Sequence, residues 1–349
     1  NGGFAASSPF AAARGADVFH PRFPRYVQME HKQERLGVTG SLQWKPTDRT
    51  EVSLDALYSK IDADRDEHYI EAISFSRSGA GKPQTIVRDG EIRNNALVYG
   101  AFDNVDIRSE NRHDEWSTDF KQVSLNLDHR FSDAFSITGK LGTSRSAHEN
   151  PVQTTIIMDK FDVDGYSYDY RGNKNMPILN YGVDPTNPNG WTLAEIRLRP
   201  QSVDNDFDTA QLDFNWNISP GFRLKGGVLA KDYSFNTVEL RRASQLAVPT
   251  FPGSGLIVPP AYTQQEGLKG ISGSPSNWVV PNLDAVADLF DIYSNTGTFA
   301  VAPRLNNSRS VEEKDRGVWL MGEFSTDLGS IPLSGNFGVR YVETKQESN

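Results

Sequence analysis

Apolar and polar residues alternate one for one along four paired stretches of the chain, and each pair is joined by a very short connection. In the first pair, Leu36, Val38, Gly40, Leu42 and Trp44 alternate with Gly37, Thr39, Ser41 and Gln43. The chain turns at Lys45-Pro46-Thr47-Asp48-Arg49, and Val52, Leu54, Ala56 and Tyr58 then oppose Ser53, Asp55 and Ser59. In the second, Val123, Leu125, Leu127 and Phe131 alternate with Ser124, Asn126, Asp128 and Arg130; the turn is Ser132-Asp133-Ala134, and Phe135, Ile137 and Leu141 oppose Ser136, Thr138 and Lys140. The third sets Ala210, Leu212, Phe214, Trp216 and Ile218 against Gln211, Asp213, Asn215 and Asn217, turns at Ser219-Pro220-Gly221, and returns with Phe222, Leu224, Val228 and Ala230 against Arg223, Lys225 and Lys231. The fourth sets Val318, Leu320, Phe324 and Leu328 against Glu323, Ser325 and Asp327, turns around Gly329-Ser330-Ile331-Pro332, and returns with Phe337, Val339 and Tyr341 against Asn336, Gly338 and Arg340.

A period of two with one apolar and one polar face predicts β-strands, because successive side chains point to opposite sides of a sheet. A soluble sheet with one wet face gives the same alternation. Three features favour a transmembrane barrel. Several runs reach about ten residues, the length of a tilted membrane-crossing strand, whereas ordinary strands average about five or six. Aromatic residues (Trp44, Phe131, Phe135, Trp216, Phe222 and Phe324) sit beside the tight turns, where an interface girdle belongs. Short connections also alternate strictly with long ones, as periplasmic turns alternate with extracellular loops. The expected architecture is all-β: an antiparallel transmembrane β-barrel segment of about eight meandering strands. Its hairpins are expected over about 34–65, 117–146, 206–240 and 315–346, with long loops over about 66–116, 147–205 and 244–311.

Residues 1–33 are rich in Ala, Ser, Gly and Pro and end in His20-Pro21-Arg22-Phe23-Pro24-Arg25, which a strand interior does not tolerate; they read as the tail of an extracellular loop. One loop segment has helical spacing. Pro281-Asn282 precedes Leu283, Val286, Ala287, Phe290 and Tyr293, and the segment is expected to end near Asn295 and Gly297, packing the loop against the barrel mouth.

Composition fits this picture. The hydrophobic fraction is 37% and aromatics reach 11%, with 29 glycines, a low aliphatic content for a soluble core of this size. The net charge of −9, without a long basic run, gives nucleic-acid binding no electrostatic footing. The absence of cysteine removes disulfides, thiolate metal sites and a Cys nucleophile from this chain. No stretch approaches the roughly 18 apolar residues of a membrane helix, and Asn1-Gly2-Gly3-Phe4-Ala5 does not open a signal peptide, which implies a mature chain or a fragment.

Catalytic and metal motifs are missing, so neither an enzyme nor a cofactor is expected. His20, His31, His68, His113, His129 and His148 show no paired metal spacing. Gly79-Ala80-Gly81-Lys82 fails as a phosphate loop, because Pro83 stands at the Ser/Thr position and Ser76 at the first Gly position. Asp162-Val163-Asp164-Gly165 lacks the glycine offset and closing Glu of a calcium loop, and there is no Gly-x-Ser-x-Gly elbow.

The stretch Gly335-Asn336-Phe337-Gly338-Val339-Arg340-Tyr341-Val342-Glu343-Thr344 is similar to a recurrent mid-barrel strand of TonB-dependent outer-membrane receptors, in particular the group common in Caulobacter- and Xanthomonas-type bacteria. The strand start Glu34-Arg35-Leu36-Gly37 and the turn Ser132-Asp133-Ala134-Phe135 share that style. The resemblance implies a barrel of about 22 strands with a plugged lumen, of which about fourteen strands lie outside this segment. It also implies a bacterial outer-membrane location and import of a scarce nutrient such as a siderophore or carbohydrate. The partners it implies are outer-membrane lipid, the plug domain and remaining strands of the same receptor, the TonB complex through the missing N-terminal region, and a small-molecule or oligosaccharide substrate. No plug or TonB box is visible in the segment, so no coupling residue carries over.

Two residue sets remain as candidates. Asp55, Asp128, Arg130, Lys140, Asp213, Arg223, Lys225, Glu323 and Arg340 fall on the polar side of the strands, expected to face the lumen and to contact the plug or a hydrophilic substrate, or merely to solvate a wet wall. Tyr166, Tyr168, Tyr170, Trp191 and Trp278 are loop aromatics able to stack on a substrate or to pack loop against loop. The rival readings are a passive porin-like or complete eight-stranded barrel and, less favoured, a soluble carbohydrate-binding β-sandwich.

Overall fold

A computed structural model describes residues 4–14, 18–75, 84–268 and 276–349. The strands in chain order are β1 (Arg25–Thr47), β2 (Thr50–Ala72), β3 (Ile86–Arg93), β4 (Ala96–Asp103), β5 (Val105–Arg130), β6 (Phe135–Val163), β7 (Tyr166–Asp169) and β8 (Ile178–Tyr181). They continue with β9 (Thr192–Leu198), β10 (Gln201–Ser219), β11 (Phe222–Arg242), β12 (Thr263–Gly267), β13 (Asn277–Pro281), β14 (Val301–Pro303), β15 (Arg309–Leu328) and β16 (Ile331–Ser348). The fold is all-β and antiparallel. The main sheet runs β1-β2-β5-β6-β10-β11-β15-β16, with β9 on β6 and β14 on β11; two smaller sheets have the orders β3-β4-β7-β8 and β12-β13.

The four tight turns all lie at one end of this meander, and turn chemistry fixes each. Thr47 pairs with Thr50 across Asp48-Arg49. At the second turn the Ser132 hydroxyl accepts from the Ala134 and Phe135 amides (3.2 and 3.1 Å), a local substitute for the ladder. Gly221 takes the third because a Cβ there would meet the Ser325 carbonyl oxygen at 2.6 Å. Gly329 takes the fourth with φ +68°, the left-handed region that a two-residue hairpin turn demands.

Three expectations need correction. Among the described residues there are sixteen strands rather than about eight, because the long connections contain short strands of their own. Among the described residues no sheet closes into a barrel: β1 and β16 are the two ends of the path. The first strand starts at Arg25, inside the expected loop tail, and pairs without interruption from Arg25–Glu71 to Trp44–Val52. Beyond the alternating stretch both faces carry polar residues, so the period-two signal vanishes while the hydrogen-bonded ladder continues.

The buried core lies with the loops. Ile70, Ile107, Ile156 and Met158, from the far ends of β2, β5 and β6, pack with Phe102, Tyr166, Trp191, Trp278 and Val280 from the connections. The one α-helix among the described residues, α1 (Leu283–Phe290), belongs to this layer; the Asn282 side chain caps it by accepting from the Ala285 amide. It stops at Asp291, in the left-handed conformation at φ 51°, short of the expected end near Asn295. The Gly79–Lys82 stretch lies outside the described residues. Asp162 and Val163 end β6 and Asp164-Gly165 turn the chain into β7, with Asp162 and Gly165 both at positive φ.

Candidate functional site

Residues directly opposite one another in an antiparallel ladder share a face of the sheet. Leu42 pairs with Leu54, Leu54 with Leu125, Leu125 with Leu141, and Leu141 with Ala210. Farther across, Leu212 pairs with Val228, Val228 with Val318, and Val318 with Tyr341. One face therefore carries an unbroken apolar band over all eight long strands. It is bare: Leu42 is 64% exposed, Phe337 63% and Val339 70%. Along β10 the band runs from Ala210 to Trp216 and along β11 from Phe222 to Ala230. At ~3.3 Å per residue that is roughly 20–26 Å of strand.

Both edges of the band are marked. At the tight-turn edge, Phe131, Phe135 and Trp216 form a run of ring contacts (5.6 and 6.4 Å between neighbouring centroids), and Phe222 stacks on Phe337 at 6.4 Å. At the other edge the same face changes abruptly to charge, with Glu34, Lys60, Lys121, Asp208, Asp232, Arg316 and Glu343 each the next outward residue of its strand, and Arg145 following Thr143 on β6. These charges pair with same-face neighbours: Arg316 with Asp232 at 2.8 Å, Arg145 with Asp206 at 3.3 Å, and Lys60 with Asp62 at 2.9 Å.

The register places Asp55, Asp128, Arg130, Lys140, Asp213, Arg223, Lys225, Glu323 and Arg340 together on the opposite face. Many of them bond within or between strands. Ser41 donates to Asp55 and Thr138 to Asp128, each at 2.6 Å; Lys225 pairs with Glu323 at 2.7 Å, and Arg223 approaches the same carboxylate at 3.6 Å. Asp213, Gly227 and Trp319 lie side by side on three successive strands. The Trp319 indole donates to Asp213 across the middle strand at 3.1 Å, and a Cβ on Gly227 would collide with the Asp213 carboxylate. This face is a hydrogen-bonded polar wall.

The loop aromatics are elsewhere. Tyr166, Tyr168, Trp191 and Trp278 are fully buried in the loop core, and Tyr170 is half-buried with its ring edge-on to Tyr168 at 5.6 Å. Their faces are occupied by protein, and the rings pack loop against loop. A connection that builds its own sheets requires its own core, and the largest rings supply it. Among the described residues no cluster of His, Asp or Glu is arranged to hold a metal ion.

Sequence reading missed a buried ion network on the polar face beyond the band. Arg25, Glu71, Arg108 and Asp159 stand in one row across β1, β2, β5 and β6, alternating in sign. Arg108 donates twice to Asp159 (2.8 and 2.9 Å) and lies 3.6 Å from Glu195 and 3.8 Å from Glu110. Farther along, Asp114 accepts from Arg65 at 2.6 Å and from Arg112 at 3.3 Å. The signal was present as Arg108, Glu110, Arg112 and Asp114, a charged alternation with the period of a strand.

Burial and, secondarily, the nearby Glu110 push the Glu71 carboxyl up to about 7 from 4.5, while Arg25 and Arg108 oppose the shift. The raised value means folding favours the protonated form, so this stabilisation is complete below about 4.5 and is lost as pH rises through about 7. Amide exchange at Tyr26, Ile70 and Ala72, corrected for intrinsic rates, should therefore be faster at about pH 8 than at about pH 5 in the wild type. Glu71→Gln should remove the difference; a pH-independent wild type would contradict the assignment.

No family model matches the chain, and no curated protein matches it. Among solved structures it is similar to the crystal structure of BauA, the ferric preacinetobactin receptor from Acinetobacter baumannii, with a TM-score of 0.33 and 9% identity. The match covers 95% of this chain and 42% of that one, so the chain spans less than half that receptor's length. A likeness of this size carries no argument about function. No helix among the described residues is long and apolar enough to cross a membrane, which says nothing of a β-barrel.

Proposed function

We propose that the chain is part of the wall of a TonB-dependent outer-membrane receptor that imports a scarce nutrient. The observation that carries the membrane reading is the bare apolar band, continuous over eight antiparallel strands, with aromatics at one edge and charges at the other. Leaving each large apolar side chain in water forgoes about 1.5–3 kcal/mol of burial. A lipid bilayer supplies the missing partner for the whole band, and its height suits a barrel's apolar belt of about 25 Å. The polar wall then faces a wet lumen, where it is placed to meet a plug domain and a small-molecule or oligosaccharide substrate. The open edges of β1 and β16 take further strands of the same receptor, which favours this reading over a complete eight-stranded barrel. The receptor assignment rests on the sequence resemblance; energy would come from the TonB complex, and no catalysis is assigned. Two results from the full-length protein test the reading: association with outer membranes that survives alkaline and high-salt washing, and uptake of its nutrient that stops when TonB is deleted. Release by the wash would sink the membrane reading, and uptake without TonB would favour a passive porin.

A further inference from the structure

Three arginines meet on the polar face where β9 gives way to β10 beside the far end of β11. Thr155 of β6 stands opposite Arg197, and the Arg199 amide donates to the Gln153 carbonyl at 2.9 Å, so Arg197 and Arg199 stand two residues apart beside β6. On the other side Gln201 pairs with Glu239, and Leu240 donates to the Pro200 carbonyl at 2.8 Å, which sets Arg199 opposite Arg241. Glu239 and Arg241 continue the row of alternate β11 residues that holds Arg223 and Lys225 on the polar wall. Like charges directly opposite each other destabilise a sheet.

Arg197 and Arg241 each have an acid: Arg197 pairs with Glu195 at 2.8 Å, and Arg241 with Glu239. Arg199 has none among the described residues. Its Nε and Nη2 donate at 3.0 and 2.6 Å to the neutral side-chain oxygen of Gln245. Glu195 is moreover shared with Arg108, 3.6 Å away, so the corner is short of negative charge. Burial first, then Arg197 and Arg241, push the Arg199 guanidinium below its ordinary value, against Glu239 and Glu195. Arg242, the next residue of β11, shows what a purely structural arginine looks like here. Its guanidinium is filled by the carbonyls of Thr298, Ile196 and Ala247 at 2.8, 2.7 and 2.7 Å.

The free ends of the three are open. Nη1 of Arg197, Arg199 and Arg241 donates to no acceptor among the described residues, and none of these nitrogens is sealed from solvent. Guanidinium N–H groups match the paired oxygens of a carboxylate or phosphate, and such charge-assisted bonds are the strong ones. We propose that Arg197, Arg199 and Arg241 bind the carboxylate or phosphate group of a small solute. The anion relieves the contact between like charges and gives Arg199 the counter-charge it lacks. Only the solute's route, through a lumen lined by this face, rests on the receptor reading; the chemistry of the arginines does not.

Calorimetric titration of the full-length protein in nonionic detergent at low salt tests the proposal, with inorganic phosphate and succinate as probes. At least one anion should bind saturably, and Arg199→Gln should weaken it about tenfold or more, the worth of one hydrogen bond to a charged group. Arg199→Lys, which keeps the charge but not the fork, should fall between. Lys121→Gln, on the opposite face, should bind as the wild type does, which separates a site from diffuse attraction by surface charge. If Arg199→Gln does not fold, Arg241→Gln carries the same expectation. Absence of saturable binding by both anions, binding undiminished in a folded arginine variant, or an equal loss in Lys121→Gln would overturn the site. A protein that binds the anion yet stays out of bilayers would sink the barrel reading and leave this site standing.

Discussion

Leu212→Arg is expected to lower the folded, membrane-inserted population of the full-length protein by about 2–4 kcal/mol, roughly 30- to 1,000-fold, the cost of an arginine facing lipid near the bilayer midplane. Leu212 lies inside the band between Ala210 and Phe214, paired with Gly139 on one side and Val228 on the other. Gln211→Arg, one residue away on the polar wall and beside Asp213, should change the same population by less than tenfold. Heat-modifiable gel migration after refolding into vesicles reads both. Equal losses in the two variants would mean that the sheet has no lipid side.

Arg108→Leu should be the most damaging single change outside the band. The guanidinium is mostly buried, pairs twice with Asp159 and approaches Glu195 and Glu110. Its removal leaves buried carboxylates without their counter-charge, an effect of about 3–5 kcal/mol. The loss should be local: amides of the β5–β6 ladder from Ile107 to Arg112 should exchange at least a hundredfold faster, with the Leu125–Leu141 region unchanged. Arg108→Lys, which keeps the charge but not the bidentate geometry, should fall between the two. Exchange unaltered in Arg108→Leu would show that the row of charges is ornamental to the fold.

The part of the fold legible in sequence was the part with a two-residue hydrophobic period. Leu42, Leu54, Leu127, Leu212, Val228 and Val339 gave away their strands because one face is apolar throughout. Arg25 to Gln33 and Asp62 to Glu71 did not, since strands with two polar faces look like loops; only backbone pairing reveals them. The short strands of the connections were hidden for a related reason. They are three to eight residues long, too short for a periodicity to rise above noise. Tyr166, Tyr168, Trp191 and Trp278 were recognisable as unusual, but exposure is a tertiary property: the same rings serve a ligand when open and a core when closed.

The most direct test of the two-faced sheet is a pair of nitroxide spin labels at Leu212 and Asp213 in the full-length protein reconstituted into liposomes. The two positions are adjacent on β10 and on opposite faces of the sheet. Collision with oxygen, which concentrates in hydrocarbon, should be strong at 212 and weak at 213. Collision with a water-soluble nickel chelate should show the reverse. Equal accessibility of both labels to either agent, or inversion of the pattern, would contradict the assignment of the apolar band to lipid.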